Sequence, residues 1–528
     1  MATPSYPIDV RPCIPVRRSD HTEYVGLRTL LADAHRLDDL ALPLPPARAA
    51  LYRILAAICA RITGLDDPQT PIQDWLARRR RLLTRTDGFD PEAVHAYFDA
   101  HEFDLFHPER PWLQDAALAA QCAKSSGINA LVYGRPAGNN LAWFNGSHTD
   151  TDPQPLPARE ALWNLLAYHY YGPSGRCTAR TVGSLTSGQL RAGPLRSTVS
   201  FHPRGRTLYE TLLLHLTPYR GEGQDREDDA CPWEQPHTPH PLRVPPEVTW
   251  PGQLLTGRSR HAVLLVADPD AEHVTDAYLT WATQHPGLEA TDPYLVYDLD
   301  PKAPADRRRS ARRADADRAL WRELEALVLA GDEHRPGCRP EVFTTLNSLP
   351  EDTRAPLRVW VCGFDQDGKV NNRIWYTGLT PPIWPWAQEH DPVKASRIAE
   401  CRAAAETLAA ALHTTADRAW RDTTSLNPGV APRRGGGSRD ASMWARQALA
   451  SYWPHAEEAF WQLIDDARPA HGVFAAVAIT ALSEATSAAL NHFPKAGPAL
   501  ARALLTLRTA GAPPSDTRQP TGATHSQP

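Results

Sequence analysis

The spacing of apolar and polar residues divides the chain into a mixed first part and a helical last part. His261–Ala267 is almost continuously apolar, which predicts a buried strand. Leu357–Phe364 and Asn371–Leu379 predict two strands joined by Asp-Gln-Asp-Gly, which is typical hairpin-turn chemistry. Apolar residues at helical spacing predict an amphipathic helix over Pro157–Tyr171. Strands and helices therefore mix in the first part.

After Pro385 the chain becomes alanine-rich and helical. Asp391 and Pro392 predict a helix start, because aspartate caps free N–H groups and proline fits the first helical position. Apolar residues then repeat at spacings of three and four, namely Ile398, Cys401, Ala405, Leu408 and Leu412. Further helices are predicted over 440–466, 472–492 and 496–509. We expect a four-helix bundle over 387–510 and a disordered tail over 511–528.

Length and composition complete the fold prediction. A chain of 528 residues exceeds what one hydrophobic core usually supports, so at least two domains are expected. The predicted class is α+β, with a large mixed α/β N-terminal domain over 1–386 that has long loops, followed by the bundle. The polar, Pro-rich stretch 217–247 is expected to be an exposed excursion, and the arginines of Arg78–Arg81 a solvated helix face.

The sequence excludes several classes of function. The net charge of −5 argues against a uniformly basic surface but leaves a local basic groove open. The eight cysteines form no C-x-x-C pair, which argues against a zinc ribbon. We find neither a signal peptide nor an 18-residue apolar run, so we expect a cytoplasmic protein without membrane contact. Motifs for metallohydrolases, serine hydrolases and metal-dependent nucleases are missing, which predicts no enzyme activity and no cofactor.

One apparent nucleotide-binding motif is rejected. Gly363–Lys369 fits G-x-x-x-x-G-K after an apolar strand, but Val370 stands where such a loop needs serine or threonine. Asp365 and Asp367 would place negative charge in the phosphate cradle, and a strand-like segment follows where a helix is required. ATP binding is therefore not expected.

Three polar segments have residue types that suit binding to nucleic acid. The loop 126–140 combines Gly, Asn, Arg and Tyr, which contact phosphates and bases in nucleic-acid readers and are equally common in ordinary surface loops. Gly172–Arg176 offers small residues that let the main chain enter a groove, with one cation for phosphate. The same residues also fit a helix C-cap. The hairpin tip over 365–371 suits a rigid wedge or a plain exposed hairpin.

Five short stretches follow one another in a specific order: Phe103–Gln114, Ser126–Asn140, Trp143–Asp150, Gly172–Arg176 and Gly193–Leu216. Their order and spacing, with the helical last part, resemble the CasA family, the large subunit of the type I-E CRISPR Cascade surveillance complex. The resemblance covers most of 5–510. It implies a non-catalytic reader of double-stranded DNA, in which guide RNA reads the target and protein reads only a short flank, the PAM.

The resemblance also assigns roles by position. A glycine loop that enters the minor groove at the PAM corresponds to Gly172, Pro173, Ser174, Gly175 and Arg176. A loop near the guide RNA 5′ handle and the PAM corresponds to Asn129, Val132, Tyr133 and Arg135. A hairpin that splits the duplex beneath the PAM corresponds to Gln366, Lys369 and Asn371, in a register that is open between Gln366 and Lys369.

The implied partners are guide RNA, target DNA, the backbone, small and 5′-end Cascade subunits, and the helicase-nuclease that degrades the target. Two alternatives belong to other classes: a stand-alone nucleic-acid-processing enzyme with an unrecognised active site, and a helical scaffold that binds protein alone. Co-purification with guide RNA and several other proteins distinguishes the Cascade subunit from both.

Overall fold

The computed structural model describes residues 4–136, 151–218, 229–244, 260–285, 291–299, 309–330, 339–366, 372–424 and 441–511, with single positions 252, 302 and 304. Several predictions lie outside these residues, namely those on 137–150, Lys369, Asn371 and the tail over 512–528.

The strands are β1 (Ile14–Arg18), β2 (His21–Val25), β3 (Asp39–Leu40), β4 (Leu156–Pro157), β5 (Gly175–Val182), β6 (Leu185–Leu190), β7 (Val199–Arg204), β8 (His261–Ala267), β9 (His273–Trp281), β10 (Tyr297–Leu299), β11 (Arg309–Ala311), β12 (Arg358–Gln366) and β13 (Asn372–Leu379). They form small antiparallel sheets with the orders β2-β1-β3, β4-β9-β8, β13-β12-β7, β5-β6 and β10-β11.

The helices are α1 (Leu27–Ala32), α2 (Pro45–Thr63), α3 (Ile72–Leu83), α4 (Pro91–Ala100), α5 (Leu118–Gln121), α6 (Ala158–Tyr171), α7 (Leu208–Leu214), α8 (Leu324–Val328), α9 (Glu351–Arg354), α10 (Pro392–Thr424), α11 (Met443–Leu463), α12 (Ala470–Thr486), α13 (Ala489–His492) and α14 (Ala496–Ala510). The predicted α+β class is confirmed, with strands confined to the first part and a helical last part. None of the described helices is both long and apolar enough to cross a membrane.

The chain divides into two compact units. Unit 1 contains 1–320 and 326–385, and unit 2 contains 321–325 and 386–528. In unit 2, Trp321 is buried beside Phe460, with ring centroids 4.6 Å apart. Its neighbour Arg322 donates to Glu406 at 2.8 Å. These contacts explain why a short segment far upstream of α10 belongs to the helical unit, which the sequence pattern did not indicate.

Helices α10, α11, α12 and α14 build the core of unit 2. The start of α10 is as predicted, because Asp391 Oδ1 accepts from the Lys394 backbone N–H at 2.9 Å. The predicted seam residues of α10 are all buried. The helix predicted over 472–492 is interrupted, since α12 ends at Thr486 and the short α13 follows.

In unit 1, α2 and α6 pack against each other and are buried on nearly all sides. The prediction that α6 is amphipathic is therefore wrong. Tyr168, Tyr170 and Tyr171 fill positions that looked polar, and each is inaccessible or almost so. A helix surrounded by protein needs no polar face.

Two predicted exposed segments partly enter the core. Arg79, in the run Arg78–Arg81, is 2% exposed and donates to the Leu216 carbonyl at 3.2 Å and to the Thr345 hydroxyl at 2.8 Å. Within 217–247, Trp233 is buried, its ring centroid 5.8 Å from that of Trp112. Both segments carry one residue that reaches a partner distant in sequence, which local polarity does not reveal.

Candidate nucleic-acid interface

The C-terminal end of α6 is held by donors from several segments. The last carbonyls of a helix lack partners within the helix and must find them elsewhere. Here they accept from the Gly172 N–H at 2.9 Å, the Leu195 N–H at 2.8 Å, the Arg196 guanidinium at 2.8 Å and the Gln366 side-chain amide at 3.3 Å. The last two donors share the Tyr171 carbonyl. The point where the chain leaves α6 is therefore fixed.

The glycine loop, defined as Gly172–Arg176, begins at this fixed point. A Cβ on Gly172 would lie 2.5 Å from the Tyr168 carbonyl oxygen and 2.7 Å from the His261 ring, so only glycine fits. His261 is buried, and its Nε2 donates to the Pro173 carbonyl at 3.1 Å. Burial lowers the pKa of His261 to about 4, which keeps the ring neutral near neutral pH. The first half of the loop is thus rigidly seated.

The second half of the glycine loop is open. Gly175 has φ +124°, a conformation that favours glycine, and no atom lies within 4 Å of where its Cβ would stand. Gly175 and Arg176 are also the first residues of β5, paired with Leu190 and Gln189. Arg176 is exposed. The predicted helix stop is present, but the loop leads directly into a hairpin, β5–β6, that the sequence pattern did not predict.

The described part of the loop after Ser126 lies deeper than a surface loop. Asn129 stands in a short 3₁₀ turn, Ile128–Ala130, and is 1% exposed. Val132 and Tyr133 are half-buried. Arg135 donates to the Gln154 carbonyl at 2.8 Å, and burial lowers its pKa. Asn129 therefore shapes this loop from inside.

The hairpin β12–β13 forms as predicted, but Gln366 does not project from it. Gln366 is 3% exposed and is the last residue of β12. Its Oε1 accepts from the Ser197 N–H at 3.3 Å, and its carbonyl accepts from the Ser197 hydroxyl at 2.5 Å. A side chain that inserts into a duplex must leave the protein surface. This burial counts against Gln366 as the inserted residue. The assignments of Gln366, Lys369 and Asn371 stay predictions, the last two outside the described residues.

The base of the hairpin is tightly built. Gly363 pairs with Tyr376, and a Cβ on Gly363 would lie 2.2 Å from the Tyr376 ring. Asp365 accepts from the Ala316 N–H at 3.1 Å. Among the apolar residues that flank the tip, Val359 and Val361 are buried, whereas Ile374 is 54% exposed. The G-x-x-x-x-G-K match thus begins inside a strand and is followed by strand β13, as expected for a non-nucleotide site.

An aromatic cluster joins the three predicted segments within unit 1. The ring centroid of Phe364 on β12 lies 5.4 Å from that of Tyr133, 5.9 Å from that of Tyr171 and 5.4 Å from that of Trp375. These rings come from the Ser126 loop, the end of α6 and the hairpin. The three segments are far apart along the sequence, and the structure brings them into contact.

Sequence reasoning missed three residues that make this junction. Arg196 and Ser197 lie in the stretch Gly193–Leu216, which was singled out without a role for either. Ser197 has φ +62°, an uncommon conformation for a residue other than glycine. Phe364 was taken as an ordinary strand residue. The only local signal was the arginine and serine shortly before the strand Val199–Arg204.

A metal-binding group or a reactive thiol among the described residues would be recognisable from its geometry, even without a motif. No group of three or more His, Cys, Asp or Glu side chains within them is placed to hold a metal ion. Burial raises the pKa of the Cys13 and Cys362 thiols to about 12, which disfavours the reactive thiolate. The arrangement is that of a rigid platform presenting an open glycine loop.

Comparisons with known proteins identify the family of the chain. The family model for CRISPR-associated protein Cse1 matches residues 10–492. One chain of a CRISPR RNA-guided surveillance complex is 39% identical, with a TM-score of 0.84, over 96% of this chain and 99% of that one. A pre-nicking form of such a complex gives 38% identity and a TM-score of 0.76 over 97% and 100%.

A curated relative, CRISPR-associated protein CasA/Cse1 from Thermus thermophilus, is 30% identical over 338 residues. The match spans 60% of this chain and 59% of that relative's length. Thermobifida fusca Cse1, at 18% identity and a TM-score of 0.70 over 96% and 98% of the chains, shares the fold. With the family model matching most of its length, the chain belongs to the CRISPR-associated protein Cse1 family.

Proposed function

We propose that this protein is the non-catalytic large subunit of a type I-E CRISPR surveillance complex. In this role it reads the PAM of double-stranded DNA, helps the duplex open for guide RNA, and helps recruit the helicase-nuclease. The observation that carries the proposal is the glycine loop, open at Gly175 and fixed at Gly172. Family membership and the similarity to chains of RNA-guided surveillance complexes support it.

Three segments of unit 1 share the work in this proposal. Gly172–Arg176 enters the minor groove, where close main-chain approach reads the shape and base edges of the flank. The loop that carries Asn129, Val132, Tyr133 and Arg135 lies near the guide handle and the PAM, and the buried Asn129 supports it from inside. The hairpin β12–β13 is held beside the glycine loop, because the Gln366 side chain donates to the Tyr171 carbonyl. The hairpin opens the first base step.

Purified protein is expected to show neither DNA cleavage nor ATP turnover with Mg²⁺ or Mn²⁺, since it carries no motif for either reaction. Expressed with its neighbouring subunits in the cytoplasm, it should co-purify with guide RNA and those proteins. Cleavage or ATP hydrolysis that remains proportional to this protein through repeated purification contradicts the proposal.

Gly175→Leu is expected to weaken binding of PAM-bearing duplex by the assembled complex about tenfold, because a side chain here projects into the groove that the loop enters. Gly183→Leu is a matched control. Gly183 has φ +59° and no atom within 4 Å of its Cβ position, and it lies in the turn between β5 and β6.

The measurement is equilibrium binding of duplexes with and without the flank, with the melting temperature of each variant to account for backbone strain. Equal loss of affinity in both variants, or none in Gly175→Leu, contradicts the placement of the loop.

A further inference from the structure

Three arginines surround the open end of the glycine loop: Arg176, Arg191 and Arg260. Within the part of the chain that the structure describes, none of them forms an ion pair with a carboxylate. Arg180, four residues along the same strand as Arg176, behaves differently. It is 1% exposed and donates to Asp115 at 2.6 Å. Arg180 thus serves the fold with an acidic partner, whereas Arg176, Arg191 and Arg260 have none among the described residues.

The backbone places Arg191 beside the loop. The Gly193 N–H donates to the Gly172 carbonyl at 3.0 Å, and Gly175 pairs with Leu190. The segment 190–193 therefore runs antiparallel to the first four residues of the glycine loop. Arg191 lies in this segment and is exposed.

Arg260, the residue directly before β8, contacts the same segment. Its Nη1 donates to the Ala192 carbonyl at 3.2 Å, directly after Arg191. The next residue, His261, holds the Pro173 carbonyl of the loop. Burial and the neighbouring Arg191 lower the pKa of Arg260. Arg260 is half-buried and Arg191 is exposed, so their like charges repel one another, and an anion bound between or beside them would relieve the repulsion.

We propose that Arg191 and Arg260, together with Arg176, form a phosphodiester-binding site that grips the backbone of duplex DNA beside the flank bases. The site rests on the proposed function and adds to it the residues that hold the strand. Guanidinium groups match phosphate geometry and stay charged, so they suit this ligand. The glycine loop discriminates sequence, whereas the arginines supply affinity and fix the loop in register with the groove.

This separation of roles gives a specific expectation. Each phosphate contact releases condensed counterions, so losing one lowers the slope of log affinity against log salt by about 0.9 for B-DNA. The ratio of affinities for flanked and unflanked duplex should stay the same, because phosphate contacts carry no sequence information. The Gly175 variant should show the opposite pattern, with a changed ratio and an unchanged slope.

The test measures binding of flanked and unflanked duplex by the assembled complex over a range of salt concentrations. Arg191→Gln and Arg260→Gln are each expected to reduce the slope by about 1, and the double variant by about 2. Arg260→Lys keeps the charge and should keep most of the slope. Arg85→Gln, which removes an exposed guanidinium paired with Asp87, is the control and should leave the slope unchanged.

An unchanged slope in the double variant, with the melting temperature and subunit assembly preserved, overturns the proposal. A slope that falls equally in Arg85→Gln also overturns it, because the effect is then one of general charge. Equal binding of the two duplexes by the unaltered complex counts against the proposed function alone, since the salt slopes still decide about the arginines.

Discussion

Lowering the pH from about 6.5 to about 4.5 is expected to reduce the free energy of unfolding of unit 1 by about 6 kcal/mol, or about 2 kcal/mol for each of the buried histidines His169, His215 and His261. Burial lowers the pKa of His169 and His261 to about 4, that of His215 to about 3, and that of His202 well below its ordinary value. A typical domain has a total stability of about 5–15 kcal/mol, so the loss is large.

The pair His202 and His215 shows why protonation is unfavourable. His215 Nδ1 donates to the Thr211 carbonyl at 2.7 Å, which leaves its Nε2 to accept from His202 Nδ1 at 3.1 Å. His202 Nε2 in turn accepts from the Ser200 hydroxyl at 3.0 Å. Every ring nitrogen is used in the neutral form, and a further proton on either ring would face another donor or remain unbonded.

The groups around His202 and His215 further disfavour protonation of the two rings. The two rings stack with Tyr52 and Tyr294, with centroids 4.7–5.0 Å apart for the closest pairs. The positive charge of Arg53, which is paired with Asp292, further lowers the pKa of both histidines.

Proton binding determines the direction in which the free energy of unfolding changes with pH. The folded pKa values lie below the unfolded value of about 6.5, so between the two the unfolded chain binds more protons. The contribution of these histidines is therefore fully present above about pH 6.5 and is lost as the pH falls toward their folded values.

Guanidinium denaturation across this pH range measures the effect. His169→Gln keeps a donor for the Leu113 carbonyl, which accepts from His169 Nε2 at 2.8 Å, and removes the titration. We expect it to reduce the loss by about 2 kcal/mol. His455→Gln, at an exposed position, should reproduce the unaltered protein. A free energy of unfolding that is constant from about pH 6.5 to about 4.5 contradicts the prediction.

The sequence predicted those elements whose burial repeats locally. His261–Ala267 is a strand with the bounds that its apolar run indicated, and the seam of α10 is buried as its spacing required. The local pattern is sufficient in these cases, because the burial of residues repeats with the period of the strand or helix.

The missed features depend on partners distant in the chain. Gln366 has a polar side chain next to a hairpin turn, and its partners Ser197 and Tyr171 lie 169 and 195 residues away. The hairpin β5–β6 was missed for another reason. Its strands are mostly polar and only partly buried, so they carry little of the alternation that marks a strand.

The sequence located only part of the candidate site, because the other part depends on contacts between distant residues. The glycine loop was located from a helix that ends in glycine, which is local information. The junction formed by Tyr171, Arg196, Ser197 and Gln366 depends on tertiary hydrogen bonds. It ties the loop to the hairpin, and we propose on that ground that Gln366 is a positioning residue and not an inserted side chain.

The double variant Gln366→Met, Lys369→Ala is expected to slow opening of linear duplex by the assembled complex about a hundredfold. Methionine fills the space of Gln366 but removes two hydrogen bonds, each worth about 1 kcal/mol. Separating the first base step costs about 1.4 kcal/mol of stacking, part of which a side chain at the tip offsets. Together these losses approach about 3 kcal/mol, and each 1.36 kcal/mol is a factor of about ten in rate.

The single variants separate the two contributions. Lys369→Ala alone tests the tip, and Gln366→Met alone tests the junction. Ser197→Gly removes the hydroxyl partner of the Gln366 carbonyl while retaining a residue that tolerates φ +62°. If the junction acts as a unit, the effects of Gln366→Met and Ser197→Gly are not additive. Gln73→Ala, an exposed glutamine on α3, serves as the control.

The decisive comparison is the rate of R-loop formation on linear duplex and on a target of the same sequence with the first base pairs already open. Wedge and junction act before the guide heteroduplex stabilises the open state, so a pre-opened or negatively supercoiled target should largely restore the rate. Binding of flanked duplex should remain, because the glycine loop keeps its Gly172 and Arg196 anchors. Loss by the same factor on both targets means that the hairpin does not open the duplex.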